Sequence, residues 1–123
     1  MANLDVALKG AMSIDGAIGV ALVDYTSGMT LGVAGGTAEL DLTVAAAGNT
    51  EVVRAKIRTM EMLKLNDTIE DILITLGSQY HVIRPLRSHS GKGLFLYLML
   101  SKSRANLALA RHQLRGIEES LEL

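Results

Sequence analysis

Serine, histidine and aspartate, the residue types of a nucleophile, its base and its orienting acid, all occur in this chain, so their spacing decides whether they form a set. No Gly-x-Ser-x-Gly elbow lifts a serine to the tip of a strand-to-helix turn. His81, His89 and His112 read as lying on a strand, in a loop and on a helix, without the His-Glu-x-x-His spacing that puts two imidazoles on one helix face. Each is expected as a surface or half-buried histidine. Ser90-Gly91-Lys92-Gly93 has the small residues and the lysine of a phosphate-cradling loop, but it joins two strands, lacks the upstream glycine and has no Ser or Thr after the lysine. A hairpin loop with a solvated lysine is expected instead. Cysteine is absent, which removes disulfides, thiolate nucleophiles and Cys-ligated zinc together and points to a reducing compartment. No catalytic, cofactor-binding or metal-ligating set is assigned.

The 123 residues suit one domain, 1–123, and a chain of this length buries roughly two thirds of its unfolded surface. Hydrophobic residues at 49% are ample for one core. The net charge of -1 conceals an asymmetry: residues 1–71 hold ten acids and five bases, whereas 72–117 hold seven bases and no acid. Those seven, Arg84, Arg87, Lys92, Lys102, Arg104, Arg111 and Arg115, are spread over two strands, a loop and a helix, and aromatic residues are nearly absent. A nucleic-acid stripe is therefore not expected, and solvated faces are. The longest apolar run, Gly16 to Val23, falls far short of the roughly 20 residues that span a bilayer, and no signal sequence opens the chain. The expectation is a soluble, cytoplasmic protein.

Helical spacing of Leu4, Leu8, Ala11 and Met12 predicts a short amphipathic helix over Asn3 to Met12, broken by Asp15 and Gly16. Ala17 to Val23 is apolar on both faces, with Ile18, Val20 and Leu22 on one and Ala17, Gly19, Ala21 and Val23 on the other, as in a central strand. A turn over Tyr25 to Gly28 leads to Met29, Leu31 and Val33 alternating with Thr30, Gly32 and Ala34, a hairpin partner with one drier face. Ile69 to Leu76 is β-rich, and Gly77-Ser78, glycine first, predicts a type II′ hairpin into Gln79 to Leu86, whose Pro85 sits near the strand end. Leu94 to Leu100 is again apolar on both faces. A last helix, from about Arg104, carries Leu107, Ala110, Leu114, Ile117 and Leu121 on one stripe.

The segment from about Leu40 to Lys64 carries two apolar stripes at about 100° per residue. Leu42, Ala45, Ala46, Asn49, Val53, Ile57 and Met60 make a sheet-packing face with one polar intruder, Asn49. Val44, Gly48, Val52, Ala55, Thr59 and Met62 follow the three- and four-residue spacing of a helix that meets another helix, and Gly48 and Ala55 permit close approach. The alternative is a helix buried on two sides within its own domain. Glu51, Arg54, Arg58 and Glu61 form the solvent face.

The order helix, two strands, helix, three strands, helix implies a layered α/β fold with the doubly apolar strands at the middle of a sheet between helices. This order resembles the bacterial branch of the roadblock/dynein light-chain family, as do Gly16-Ala-Ile-Gly-Val-Ala-Leu-Val-Asp24 running into Gly28-Met-Thr-Leu, Ala45-Ala-Ala-Gly-Asn-Thr50, Glu70-Asp-Ile-Leu-Ile-Thr-Leu-Gly77, Tyr80-His-Val-Ile-Arg-Pro-Leu86 and Ala105-Asn-Leu-Ala-Leu-Ala-Arg111. The resemblance implies a five-stranded antiparallel sheet of order 2-1-5-4-3, one long helix on one face and two terminal helices on the other. It also implies dimerisation through the long helix and the third strand. The expected dimer residues are Val44, Gly48, Val52, Ala55, Thr59, Met62, Ile72 and Ile74, with Glu51, Arg54, Arg58 and Glu61 facing a partner.

Members of that family serve as scaffolds and regulators of Ras-like small GTPases or as motor light chains, and no catalytic residues come with it. The resemblance therefore implies a non-enzymatic homodimer, or a heterodimer with a second roadblock chain, that regulates a Ras-like GTPase, and the incomplete phosphate loop at residues 90–93 leads to the expectation that the chain does not itself bind or hydrolyse GTP. A light-chain-like structural module without a GTPase partner is one alternative. A small-molecule sensor is another, against which the almost wholly aliphatic core-facing residues speak.

Overall fold

The computed structural model describes residues 3–37, 41–87 and 91–123. Helices α1 (Leu4–Met12), α2 (Leu42–Met62) and α3 (Leu107–Ser120) and strands β1 (Ala17–Asp24), β2 (Met29–Gly35), β3 (Ile72–Thr75), β4 (Gln79–Pro85) and β5 (Leu94–Ser101) follow in the expected order. The strands form one antiparallel sheet in the order β2-β1-β5-β4-β3. Each helix starts where a short polar side chain takes up a free backbone N–H: Asn3 accepts from Val6, Asp41 from Thr43 and Val44, and Asn106 from Leu109. α2 ends in a Schellman closure, with Leu65 N–H on the Met60 carbonyl and Lys64 at φ 56.

The central strands β1 and β5 feed two cores. Val20, Leu22, Leu96, Leu98 and Leu100 meet α1 and α3 on one face, together with Ala7, Leu8, Ala11, Ala110 and Leu114. Ala21, Val23, Phe95, Tyr97 and Met99 meet Leu42, Ala46 and Val53 of α2 on the other. A register shift between Ala17 and Gly19 reverses the alternation at the start of β1, so Ile18 packs on the α2 side and Ala17 on the opposite side. The β1–β2 turn is pinned by Asp24, whose carboxylate accepts from the Thr26 hydroxyl at 2.6 Å and from its N–H at 2.8 Å. Those bonds, the side-chain one foremost, hold the Asp24 carboxyl below its ordinary range.

Four expectations change. β3 is Ile72–Thr75 rather than Ile69 to Leu76, because Glu70 and Asp71 are drawn away to arginines of α3 and the β4 end. The hairpin at Gly77-Ser78 is present, but Gly77 lacks the positive φ of a type II′ turn. α3 begins at Leu107, since Arg104 and Ala105 form a turn on the Ser101 carbonyl. β2 reverses the expected exposure: Thr30, Gly32 and Ala34 are half-buried and Met29, Leu31 and Val33 exposed, with a register shift between Leu22 and Val23 that puts Thr30 and Gly32 on opposite sides of the sheet. A Cβ at Gly32 would lie 3.0 Å from side-chain carbons of both Leu4 and Leu8, so α1 comes down where glycine leaves room.

The acid-free stretch resolves into ion pairs. Arg84 and Glu118 pair at 2.6 Å, both buried, and Glu118 also accepts the Arg87 N–H at 3.1 Å. Arg111 pairs with Asp71, and Arg87 and Arg115 with Glu70. Only the buried pair carries large energetic weight, because removing one partner strands a charge in low dielectric. Glu118→Ala is expected to cost about 3–5 kcal/mol in urea unfolding. Arg84→Met combined with Glu118→Leu should recover part of that loss, and a double variant no better than Glu118→Ala would show that the charges themselves are required.

Candidate partner-binding surface

α2 is a 21-residue helix whose backbone lies nearest β1 and β2, with only one side committed to the core. Leu42, Ala46, Thr50 and Val53 are buried, and Ala45 and Ile57 are partly so. Thr50 replaces Asn49 at the centre of this face, its hydroxyl donating to the Ala46 carbonyl at 2.8 Å. The second stripe lies about half a turn away around the helix. All of it is exposed: Val44 at 68%, Val52 at 38% and Met62 at 76%, with Gly48, Ala55 and Thr59 between them. A Cβ on Gly48 would meet nothing within 4 Å. The alternative of a helix buried on two sides within its own chain therefore does not hold.

Ile72 and Ile74 of β3 are half-buried and pack at the margin of the α2-side core. Glu51, Arg54, Arg58 and Glu61 are exposed and make no ion pair among the described residues. Arg54, Arg58 and Glu61 line a shallow recess of about 410 Å³ with Tyr25, Thr26 and Ile57, which places this charged face beside the β1–β2 turn.

Under α2 lies a polar chain of side chains for which Asn49 was the one visible signal. His81 donates from Nε2 to Gln79 Oε1 at 2.8 Å and accepts at Nδ1 from the Tyr97 hydroxyl at 3.0 Å, and Asn49 also hydrogen-bonds the phenol. The His81 and Tyr97 rings meet edge to face at 5.5 Å. Burial pushes the Tyr97 phenol up, partly offset by Asn49, and pushes the His81 imidazole below 6.5. Both ring nitrogens of His81 are thus occupied within the fold.

The histidines are not brought together. His81 lies on the α2 side of β4, His112 is exposed on α3, and His89 falls outside the described residues, as does Ser90 of the glycine-rich loop. Lys92 is exposed, and Gly93, at φ 88, accepts the Tyr25 N–H at 2.9 Å, so this segment closes a hairpin. No group of three metal-capable side chains occurs among the described residues. A recess of about 570 Å³ opens between the end of α2 and β4, lined by Ile57, Met60, Leu65, Ile69 and Leu86, with Arg87 and Lys92 at its border. No helix is long and apolar enough to cross a membrane.

The depressed His81 pKa predicts a pH dependence of stability. The unfolded chain takes up the proton first as pH falls, so the stability present above about 6.5 is lost as pH drops through the unfolded value and the lowered folded one. Thermal midpoints measured at pH 7.5 and 5.5 should differ more for the natural chain than for His81→Asn. Equal differences would assign the acid sensitivity to other groups.

No protein-family model and no curated protein matches the chain. Solved structures do. A Roadblock/LC7 domain from Streptomyces avermitilis superposes with TM-score 0.79 at 13% identity, covering 97% of this chain and 94% of that one. Myxococcus xanthus MglB gives 0.74 at 19% identity, over 92% and 77% of the two chains. MglC from the same organism gives 0.59 at 22% identity, over 94% and 92%.

Proposed function

From the bacterial roadblock/LC7 fold that this chain adopts, we propose that residues 1–123 form one non-catalytic domain, a cytoplasmic homodimer that holds or regulates a Ras-like small GTPase. The observation that carries the proposal is the exposed second stripe of α2. Isolated surface hydrophobics are ordinary, but a continuous seam with glycine and alanine at its centre has the form of a helix–helix contact.

The sheet argues for the same partner. Five strands at about 4.8 Å spacing span about 24 Å, whereas one helix is about 10 Å across, so α2 covers less than half of its face. A second α2, packed along Val44, Gly48, Val52, Ala55, Thr59 and Met62, would bury the exposed seam. β3 is an edge strand, and its Ile72 and Ile74 extend the same contact. Stable interfaces bury on the order of 1,600 Å², which a helix pair plus a strand pair could reach. A second roadblock chain fits the same seam.

Gly48 and Ala55 make the dimer testable without disturbing the single chain. Gly48→Leu meets open space within its own subunit, and Ala55→Glu is exposed there, so neither should unfold it. Both should weaken the dimer, the first by steric separation and the second by desolvating an unpaired charge. Light scattering at micromolar concentration should give twice 13.1 kDa for the natural chain and a lower mass for the variants. A natural chain that is monomeric refutes the dimer.

Paired long helices leave Glu51, Arg54, Arg58 and Glu61 at the border of the platform, free to steer and dock a partner. Arg54 and Arg58 lie on a regular helix, which suits docking better than insertion into an active site. Arg54→Glu with Arg58→Glu should weaken capture of the host's Ras-like GTPase while the dimer persists. Capture by neither the GDP-loaded nor the GTP-analogue-loaded form would leave a light-chain-like structural module.

A further inference from the structure

Several of the bases in the acid-free stretch 72–117 gather at one place on the α3 side of the sheet. A recess of about 250 Å³ lies between α3 and the segment leading into β3, and Glu70, Asp71, Arg84, Arg111, His112 and Arg115 line it. Arg111, His112 and Arg115 follow helical spacing along one side of α3, and Arg84 comes from β4. The volume falls below the roughly 300–1,000 Å³ of pockets that take drug-sized organic ligands, so only a small ligand fits.

The carboxylates there do not satisfy the arginines. Glu118 is filled, taking Arg84 Nε at 2.6 Å on one oxygen and the Arg87 N–H at 3.1 Å on the other. Asp71 is filled by the fork of Arg111 at 2.7 and 2.9 Å. Glu70 is 57% exposed and lies 3.6 Å from Arg115 and 4.0 Å from Arg87, too far for a hydrogen bond to either. Four guanidiniums thus meet three carboxylates, and Glu119, one turn beyond Arg115, does not line the recess. Arg84 is the sharper sign. Its side chain is only 4% exposed, yet of its five N–H donors Nε–H alone has a hydrogen-bond acceptor among the described residues. No fully buried side-chain nitrogen among those residues lacks a partner, so the Arg84 Nη groups open on the recess that Arg84 lines. A guanidinium buried this deeply is costly to leave with unfilled donors.

We propose that the recess binds the phosphoryl dianion of a small molecule, whose oxygens accept from the Nη groups of Arg84 at the floor and from Arg115 and His112 at the α3 wall. The donors converge from β4 and from α3. A tetrahedral phosphoryl group presents oxygens in both directions, whereas a planar carboxylate fills a single fork. The guanidinium in excess supplies the charge, and Glu70, exposed and without a hydrogen bond to either arginine, is the side chain that gives way. The site lies on the other side of the sheet from the α2 seam and does not depend on a protein partner.

The test is calorimetric titration of the full chain with inorganic phosphate, at an ionic strength held constant by sodium chloride. Saturable binding is expected, with a thermal midpoint that rises with phosphate. Arg115→Gln should weaken binding about tenfold or more, the worth of one charge-assisted hydrogen bond, and should leave the midpoint in chloride alone unchanged because the position is exposed. Glu70→Gln should tighten binding several-fold by removing the competing carboxylate, a gain that a merely structural role does not give. Arg54→Gln, at an exposed arginine of α2, should bind as the natural chain does. Tighter binding of methyl phosphate than of inorganic phosphate would assign the ligand to the monoesters, and the reverse order to free phosphate, both within the proposal. No saturation at millimolar phosphate overturns it, as does equal weakening by Arg115→Gln and Arg54→Gln, the mark of general charge screening.

Discussion

A five-stranded sheet with two doubly apolar strands at its centre must be covered on both faces, and this chain supplies three helices for the task. α1 and α3 share one face and close it. α2 is alone on the other. Burial is worth about 25 cal/mol for each Å² of apolar surface removed from water, so the deficit on the α2 face is a standing incentive for association. The exposed seam of α2 belongs to that same single helix.

The two faces also differ in how they are secured. The α1/α3 face is closed by aliphatic packing and by a buried Arg84–Glu118 pair that ties α3 to β4. Such a pair fixes position more than it adds stability, since desolvation offsets much of the attraction. The α2 face is fixed by Thr50 and by the Asn49–Tyr97–His81–Gln79 chain, which sets the height and register of the helix over β4 and β5. A helix held this firmly on one side presents its other sides in a constant geometry, as a docking platform requires.

Much of this was legible in the chain. The alternation in β1 and β5 located the sheet centre, and the two stripes of α2 separated its core face from its exposed seam. What was not legible depended on partners distant in sequence. The half-burial of Gly32 follows from the approach of Leu4 and Leu8, which no local pattern on β2 encodes. The shortening of β3 follows from arginines on α3 forty positions later, as in the Asp71–Arg111 pair. Asn49 stood out as a polar residue in an apolar stripe, but its partners on β4 and β5 needed the fold.

The interior also bears on where function can reside. No buried side-chain nitrogen or oxygen among the described residues lacks a hydrogen-bond partner, and the most chemically capable group inside, His81, has both ring nitrogens engaged. Inside the α2-side core the polar groups are turned toward one another. On the outside, Glu51, Arg54, Arg58 and Glu61 make no ion pair among the described residues, and Val44, Val52 and Met62 of the same helix are exposed. The interactions still open to these side chains are therefore surface interactions, because the core beneath α2 has already satisfied its own polar groups.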